Sequence, residues 1–526
     1  MQLSVRNSLI LGAAIALLGT AFTVKPTTWQ SRFVKMDNKG HLTYMPDEQG
    51  NTIPDFSKVG YAAGDQSIPE VPVVTTVNAP ASGFSDQVIQ DAINRIEKKS
   101  PDAQGYRGTI LLKKGTYKIL GTIQIHKSGI ILRGESLAGN APSAGSEKQI
   151  LAAHGTKLIA VGNTQRTLID VKGTGSIQEV PDSRVKISDK YVPVGTTTLH
   201  VDAGQGYKAG DSIIVFRPAT EQWIKDIKMD QIVPRKGTRQ WKTKDYNFQF
   251  ERVITSIKGN TITIDNPVVM AMEDKYGGGY IYRYHYNGRI RQVGIENLLL
   301  ESEYSSDTAE QHGWNAIRYD HIQNGWVKQV SARYFGYSCV NLGRGARNVT
   351  VLDCQCYDAK SIITGGRRYS FNNDGQLNLF MNCQTTEGRH DYVTGAQVRG
   401  PNAFVNCSAS NTHADIGPHH RWAMGTLYDH IQTTGEINIQ DRGNWGSGHG
   451  WSGVNQILWN CKAKSAVVQD PWASGHNYAI GLMGEIGKPR LKPRNQGIWE
   501  GQNQPGLLPP SLYLAQLKDR HNKKRK

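Results

Sequence analysis

Between residues 367 and 452 the sequence concentrates side chains that move protons or hold anions. Reading forward, these are Arg367, Arg368 and Tyr369; Arg389, His390 and Asp391; His413; His419, His420, Arg421 and Trp422; Arg442; then His449 and Trp451. Imidazole changes charge near neutral pH and so can take or give a proton. Guanidinium offers a planar fork that matches a carboxylate. Together the two types suit a site that binds an anion and works on a proton beside it. A lone histidine or arginine in a turn is more often a structural hydrogen-bonder, so the weight lies on the cluster. His413, His419 and His420 do not have a zinc-ligand spacing. No G-x-x-x-x-G-K-[ST] phosphate loop occurs.

The spacing also predicts what positions these groups. Arg367, His390 and His413 recur every 23 residues. At one coil per interval they would form a column on one outer face, about 5 Å apart along the stacking direction. An apolar-Asn-Cys or apolar-Asp-Cys signature recurs at Cys354, Cys383, Cys407 and Cys461, with gaps of 29, 24 and 54 residues, the last equal to two coils of 27. Short apolar strands at this period, broken by glycine and asparagine turns, predict a parallel β-helix whose coils bury their inward faces only by stacking. The 56 glycines in 526 residues agree with a turn-rich β protein. The six cysteines, which include Cys339 and Cys356, read as small buried hydrophobes in strands, and cysteine chemistry is not expected of them.

Four segments are legible along the chain. Arg6 followed by the apolar run Leu9–Leu18 predicts a secretory signal over 1–24 and a periplasmic or secreted protein, with an uncleaved anchor as the alternative. Residues 25–80 read as an N-terminal extension and 81–480 as the parallel β-helix, all-β but for a short capping helix. In that helix, over 85–96, Ser85 is the N-cap and Val88, Ala92 and Ile93 form the inward face. A β-rich insertion spans about 185–285, with Gly259 and Asn260 as a hairpin turn. Its loop carries Trp223, Trp241 and Tyr246 among lysines and arginines, and reads equally as a groove wall or a solvated loop. Residues 481–526 form a basic extension. The net charge is +16, and over half of the excess sits there, which reads as a solvated tail. Nucleic-acid binding is not favoured, because export is expected and no reading module is present.

The order of a helix, then GTILLKKGTY at 108–117, then GIILRGE at 129–135, resembles the pectate-lyase-like superfamily of right-handed parallel β-helix proteins. The resemblance covers 81 to about 136 by motif and 290–480 by repeat period. It implies a right-handed helix and a polysaccharide-cutting enzyme, and it specifies the fold better than the reaction. Cleaving a uronate polymer by β-elimination requires neutralising the carboxylate, removing the α proton and protonating the leaving oxygen. In the pectate lyases calcium neutralises the carboxylate. Here Asp391, Asp415, Asp429 and Asp441 are scattered, so arginine is expected in that role, with no cofactor and calcium not favoured.

The expected catalytic group is Arg389, His390, His419, His420 and Arg421, with His390 or His420 transferring protons and Asp391 orienting a histidine. The expected substrate-binding group is Arg367, Arg368, Tyr369, Trp422, His449 and Trp451, the aromatics offering faces to sugar rings. The expected partner is an acidic polysaccharide or oligosaccharide, with no nucleic acid and no stable membrane insertion. One alternative is a β-helix hydrolase or transglycosylase. Gly448–Gly450 (GHG) matches a polygalacturonase tripeptide, but NTH stands at 411–413 where those enzymes need N-T-D, and no Asp-Asp pair exists. A second alternative is a non-catalytic glycan-binding β-helix.

Overall fold

Successive coils repeat a left-handed residue at the same corner, and the signature that exposed the repeat is that corner. Asn297, Gln329, Asp353, Asn382, Asn406, His430 and Asn460 all have φ between 51° and 56°. Asparagine and aspartate tolerate this region better than other side chains. The residue after each corner points inward: Leu298, Val330, Cys354, Cys383, Cys407, Ile431 and Cys461 are all buried in one continuous core. The 54-residue gap between the last two cysteines is therefore two coils, with His430 and Ile431 at the intervening corner. Side chains at the corner also stack, since Asn382 donates to Asp353 at 3.0 Å and Asn406 donates to Asn382 at 2.8 Å.

The computed structural model describes residues 27–137, 145–202 and 206–524. The expected signal segment lies outside these residues. Strands on the two sides of the corner form a thirteen-stranded and a twelve-stranded sheet, and a seven-stranded sheet closes the third side of the coils as far as Gly417–Pro418, as counted among the described residues. Neighbouring coils pair in parallel, for example Val351 with Phe380 and Phe380 with Phe404. The architecture is a right-handed parallel β-helix.

A helix closes the first coil, Asp86–Glu97, and buries Ile89, Ala92, Ile93 and Ile96 against the core. Val88 is exposed rather than inward-facing, and Ser85 makes no side-chain cap. Asp86 instead accepts from the backbone N–H groups of Leu120 and Gly121, tying the helix to the first coil. Among the described residues no helix is long and apolar enough to cross a membrane.

The insertion is an antiparallel sheet, in which Ser212–Arg217 pairs with Phe248–Lys258 and with Tyr280–His285. The hairpin from Phe248–Lys258 to Thr261–Ile264 turns at Gly259 and Asn260, as the sequence predicts. The sheet has its own core, where Trp223, Trp241 and Tyr246 meet Trp422, Met424, Trp451 and Val454 of the coils.

The basic end of the chain differs from a solvated tail. Leu512–Lys524 is a helix that packs Leu512 and Tyr513 with Phe56 and Val59 of the N-terminal segment on the outside of the largest sheet. Arg520 and Lys524 pair with Asp65. Cysteine usage differs too: Cys339 and Cys356 form a disulfide, while Cys354, Cys383, Cys407 and Cys461 are free and buried.

Candidate active site

The third sheet ends at Gly417–Pro418, and the loops leading into and out of its last strands gather the histidines. Tyr369 and His390 immediately precede the strands Phe371–Asn373 and Tyr392–Thr394. The register pairs Phe371 with Tyr392 and Val393 with Gly417, steps of 21 and then 24 residues. The uniform step of 23 therefore slips, and Tyr369, not Arg367, stands beside His390.

His419, His420 and Arg421 follow the last strand of this sheet, and His449 comes from the next loop. Ring centroids are 4.3 Å apart for His390 and His419, 5.2 Å for His419 and His420, and 4.8 Å for His420 and His449. Tyr369 lies 5.0 Å from His390 and 5.4 Å from His419. These rings line an open cleft of about 680 Å³, rimmed by Arg389, Arg421 and Trp445.

Burial and neighbouring cations keep the imidazoles neutral. Desolvation, then the Arg389 and Arg442 charges, hold His390 at about 4 despite the opposing pull of Asp415. Desolvation with Arg421 and Arg442 holds His449 at about 3. His419 and His420 are pushed well below the usual imidazole value, first by burial and then by the charges around them. Tyr369 is raised by burial, so its phenol stays protonated.

Ion pairing separates the arginines into two kinds. Arg442 is spent on Asp415, the one acid lining the cleft, and their pairing leaves Asp415 ionised below the usual range although burial opposes it. Among the described residues Arg389 and Arg421 contact no carboxylate: Arg389 donates to the Gly365 carbonyl, and Arg421 to the Ser447 hydroxyl and carbonyl. Arg421 (φ 54°) and Trp422 (φ 67°) are successive left-handed residues, a backbone cost that aims Arg421 at the cleft and Trp422 away from it.

No protein-family model and no curated protein matches the sequence. Among solved structures the chain is similar to the tailspike protein of Pseudomonas phage LKA1, at 13% identity and a TM-score of 0.33, covering 77% of this chain and 69% of that one. It is similar to an iota-carrageenase complexed to iota-carrageenan fragments, at 12% identity and a TM-score of 0.34, covering 77% of this chain and 59% of that one. It is also similar to pectate lyase Pel9A, at 8% identity and a TM-score of 0.38, covering 80% of this chain and 78% of that one.

Of the residues singled out by sequence, Tyr369, Arg389, His390, His419, His420, Arg421 and His449 come together at the cleft. Four do not. Arg367 turns aside to a bidentate pair with Glu310. The buried Arg368 is satisfied by the Ser361 carbonyl at 2.6 and 3.1 Å. Trp422 and Trp451 have no exposed surface and present no face to a sugar ring, because both anchor the insertion. Trp422 meets Trp223 edge-on at 5.0 Å, and Trp451 donates to the Ile227 carbonyl at 3.0 Å.

Asp391 orients no histidine. It is fully buried, accepts from Ser370 and Thr385, and is raised to about 6 by burial. His413 pairs with Glu387 outside the cleft. The residues that sequence reasoning undervalued are Asp415, Arg442, Trp445 and Ser447. Asp415 and Arg442 follow His390 at 25 and 27 residues in turn, close to one coil each, and that period was their signal.

Proposed function

We propose that this chain is an exported polysaccharide lyase that cleaves a uronate-containing glycan by β-elimination without a metal cofactor. The observation that carries the reading is the pair Arg389 and Arg421, carboxylate-free guanidinium groups at the rim of a cleft floored by neutral imidazoles. A hexuronate carboxylate held by these two groups would have its charge offset, which makes the neighbouring C–H proton more acidic.

His390 is the proton acceptor in this proposal. Its Nδ1–H donates to the Asp415 carbonyl, so Nε2 keeps its lone pair; Nε2 has no protein partner among the described residues and is buried, so the substrate must part the neighbouring rings to reach it. As Nε2 takes the α proton, the electron pair forms the carbon-carbon double bond and the glycosidic C–O bond at the β carbon breaks. Tyr369, protonated and beside Arg389, supplies the proton that the leaving oxygen needs.

The residues do not fit the calcium that the resemblance brings to mind. Calcium asks for six to eight oxygen ligands, whereas the cleft is lined by one carboxylate, that of Asp415, and it is held by Arg442. Hydrolysis is disfavoured on the same ground, since it needs two carboxyl groups flanking the bond. Glu387, Asp391 and Asp441 are engaged with His413, with Ser370 and Thr385, and with Arg494. Export is supported by the signal-like N-terminus and by the Cys339–Cys356 disulfide, which suits an oxidising compartment.

The test is to incubate the purified protein, with and without chelator, with pectic, alginate, glucuronan, ulvan and glycosaminoglycan polymers, following ultraviolet absorbance and reducing ends together. Absorbance that rises equally with chelator present supports the proposal. New reducing ends with flat absorbance would mean hydrolysis, and neither signal would mean a binding protein.

A further inference from the structure

A second open cavity, of about 760 Å³, adjoins the histidine cleft, and Arg421 lines both. Its wall is the insertion loop, which contributes Arg239, Lys242 and Lys244 against a single acid, Asp245. All three cations are exposed, and none makes an ion pair among the described residues. Elsewhere the protein pairs its strategic cations: Arg367 with Glu310, Arg442 with Asp415, Arg494 with Asp441 and Arg520 with Asp65. Three unpaired cations plus Arg421 around one cavity, with Asp245 alone against them, leave a local excess of positive charge among the described residues.

The loop is held in place rather than loosely solvated. Its floor is Trp241 stacked on Tyr246, ring centroids 4.2 Å apart and 16° from parallel, both buried. The Arg239 N–H donates to the Ser447 carbonyl at 3.1 Å, and the Trp241 indole N–H to the Gly448 carbonyl at 3.4 Å. Gln397 donates to the Asp245 carbonyl at 2.6 Å from the coil side. A Cβ at Gly448, where φ is +89°, would come within 2.5 Å of the Arg239 carbonyl oxygen, so loop and coil are in close backbone contact there. Ser447 receives both Arg239 and Arg421, so the two cavities share a wall.

We infer that the insertion builds a second anion-binding subsite, so the substrate carries anionic groups on sugar residues beyond the one at the reacting centre. This rests on the polysaccharide reading above and extends it. The chain recognises a run of charged sugars, and the insertion loop sets that requirement. A screened, exposed cluster of this kind contributes affinity at low salt that fades as the Debye length shortens.

The test uses the full protein and sodium polygalacturonate, alginate, hyaluronan and chondroitin sulfate as probes, with neutral dextran as control, in affinity electrophoresis over a range of salt. The triple variant R239Q/K242Q/K244Q is expected to bind the preferred polyanion roughly tenfold more weakly at low salt and with a shallower salt dependence. Because these side chains are exposed, its thermal midpoint should match the parent. D245N, which removes the opposing charge, should bind more tightly, and it checks the inference independently of how well the triple variant folds.

Unchanged affinity and salt slope in both variants would overturn the subsite. Loss of retention in the triple variant together with no double-bond formation on any polymer would leave the subsite standing and remove the lyase reading. Retention of the parent on no polyanion would remove both.

Discussion

The carbonyl oxygen of Asp415 lies 2.8 Å from Nδ1 of His390, and that contact decides which imidazole nitrogen is free. The carboxylate of the same residue is 3.4 Å from that nitrogen and is itself held by Arg442. Arg442, Asp415 and His390 thus form a chain in which the cation fixes the acid and the acid's backbone fixes the base. Replacing His390 by Ala should lower kcat by about 10²–10⁴-fold, the usual worth of a positioned proton acceptor. Replacing Arg442 by Gln frees Asp415 and removes a charge that holds His390 down, so kcat should fall and the acid limb of the pH profile should move to higher pH. Steady-state kinetics of both variants on the preferred polymer check this, and near-normal turnover of His390→Ala would exclude it as the base.

The pH dependence of turnover follows from the neutral cluster. His390 titrates at about 4, held down by burial and by Arg389 and Arg442. As the acceptor it stays deprotonated well below the usual imidazole range, so kcat/KM should hold from pH 7 to about 5 and fall only below that. An acid limb centred at 6.5 would identify a solvent-exposed histidine instead.

The same shifts carry a stability consequence. His390 at about 4 and His449 at about 3 both titrate below the unfolded value of 6.5. Between these limits the unfolded chain binds more protons than the folded one, so their contribution is fully present above 6.5 and is lost as pH falls toward 4 and then 3. Thermal midpoints measured from pH 7.5 to 4 should drop, and the double variant H390Q/H449Q should flatten part of that drop.

Much of the fold was legible because a coil repeats its corner. Asn382, Asn406 and Asn460 each mark a left-handed turn before an inward cysteine, and a stacked fold makes such residues recur. The cluster of Arg389, His390, His419, His420 and Arg421 was legible for a related reason: loops one coil apart end side by side. What sequence spacing could not supply is direction. Arg367 sits two residues before Tyr369 yet turns to Glu310, and a loop shortened by a few residues moved the column off it. Trp422 adjoins Arg421 yet faces the opposite way, because what covers it comes from the insertion, Trp223 and Trp241 among its residues, far earlier in the chain. The pairing of Cys339 with Cys356 was hidden for a similar reason, since it bridges two sheets of neighbouring segments and leaves the corner cysteines free.

Trp422 is therefore predicted to act through the insertion. It meets Trp223 at 5.0 Å and Trp241 at 6.3 Å within the core that joins insertion to coils. Trp422→Ala should cost about 3–5 kcal/mol, the range for emptying a buried aromatic site. The loss should show as weaker near-ultraviolet circular dichroism and early proteolysis within 185–285. Trp445, which lines the cleft, should give the opposite pattern on replacement by Ala: normal stability and weaker glycan binding.

The C-terminal helix is predicted to respond to pH with the opposite sign. Asp429 lies in the core of the last coils, and its Oδ2 accepts from the Ser511 hydroxyl and the Tyr513 N–H at the start of that helix, while Oδ1 has no partner. Burial raises its carboxyl to about 7 from 3.8, against those two hydrogen bonds. The folded state then holds a proton that the unfolded state has released between about 4 and 7, so this contribution is fully present below 4 and is lost as pH rises through 7. Amide exchange in 512–524 should be slower at pH 5 than at pH 8 once intrinsic rates are divided out. Asp429→Asn keeps a side-chain oxygen for the same acceptor role and has no charge to desolvate, so exchange in the helix should become independent of pH over that range. Exchange that keeps its pH dependence in this variant would overturn the assignment to Asp429, since Asp65, which pairs with Arg520 and Lys524 on the helix's other side, is held below the usual carboxylate range and stays ionised throughout that window.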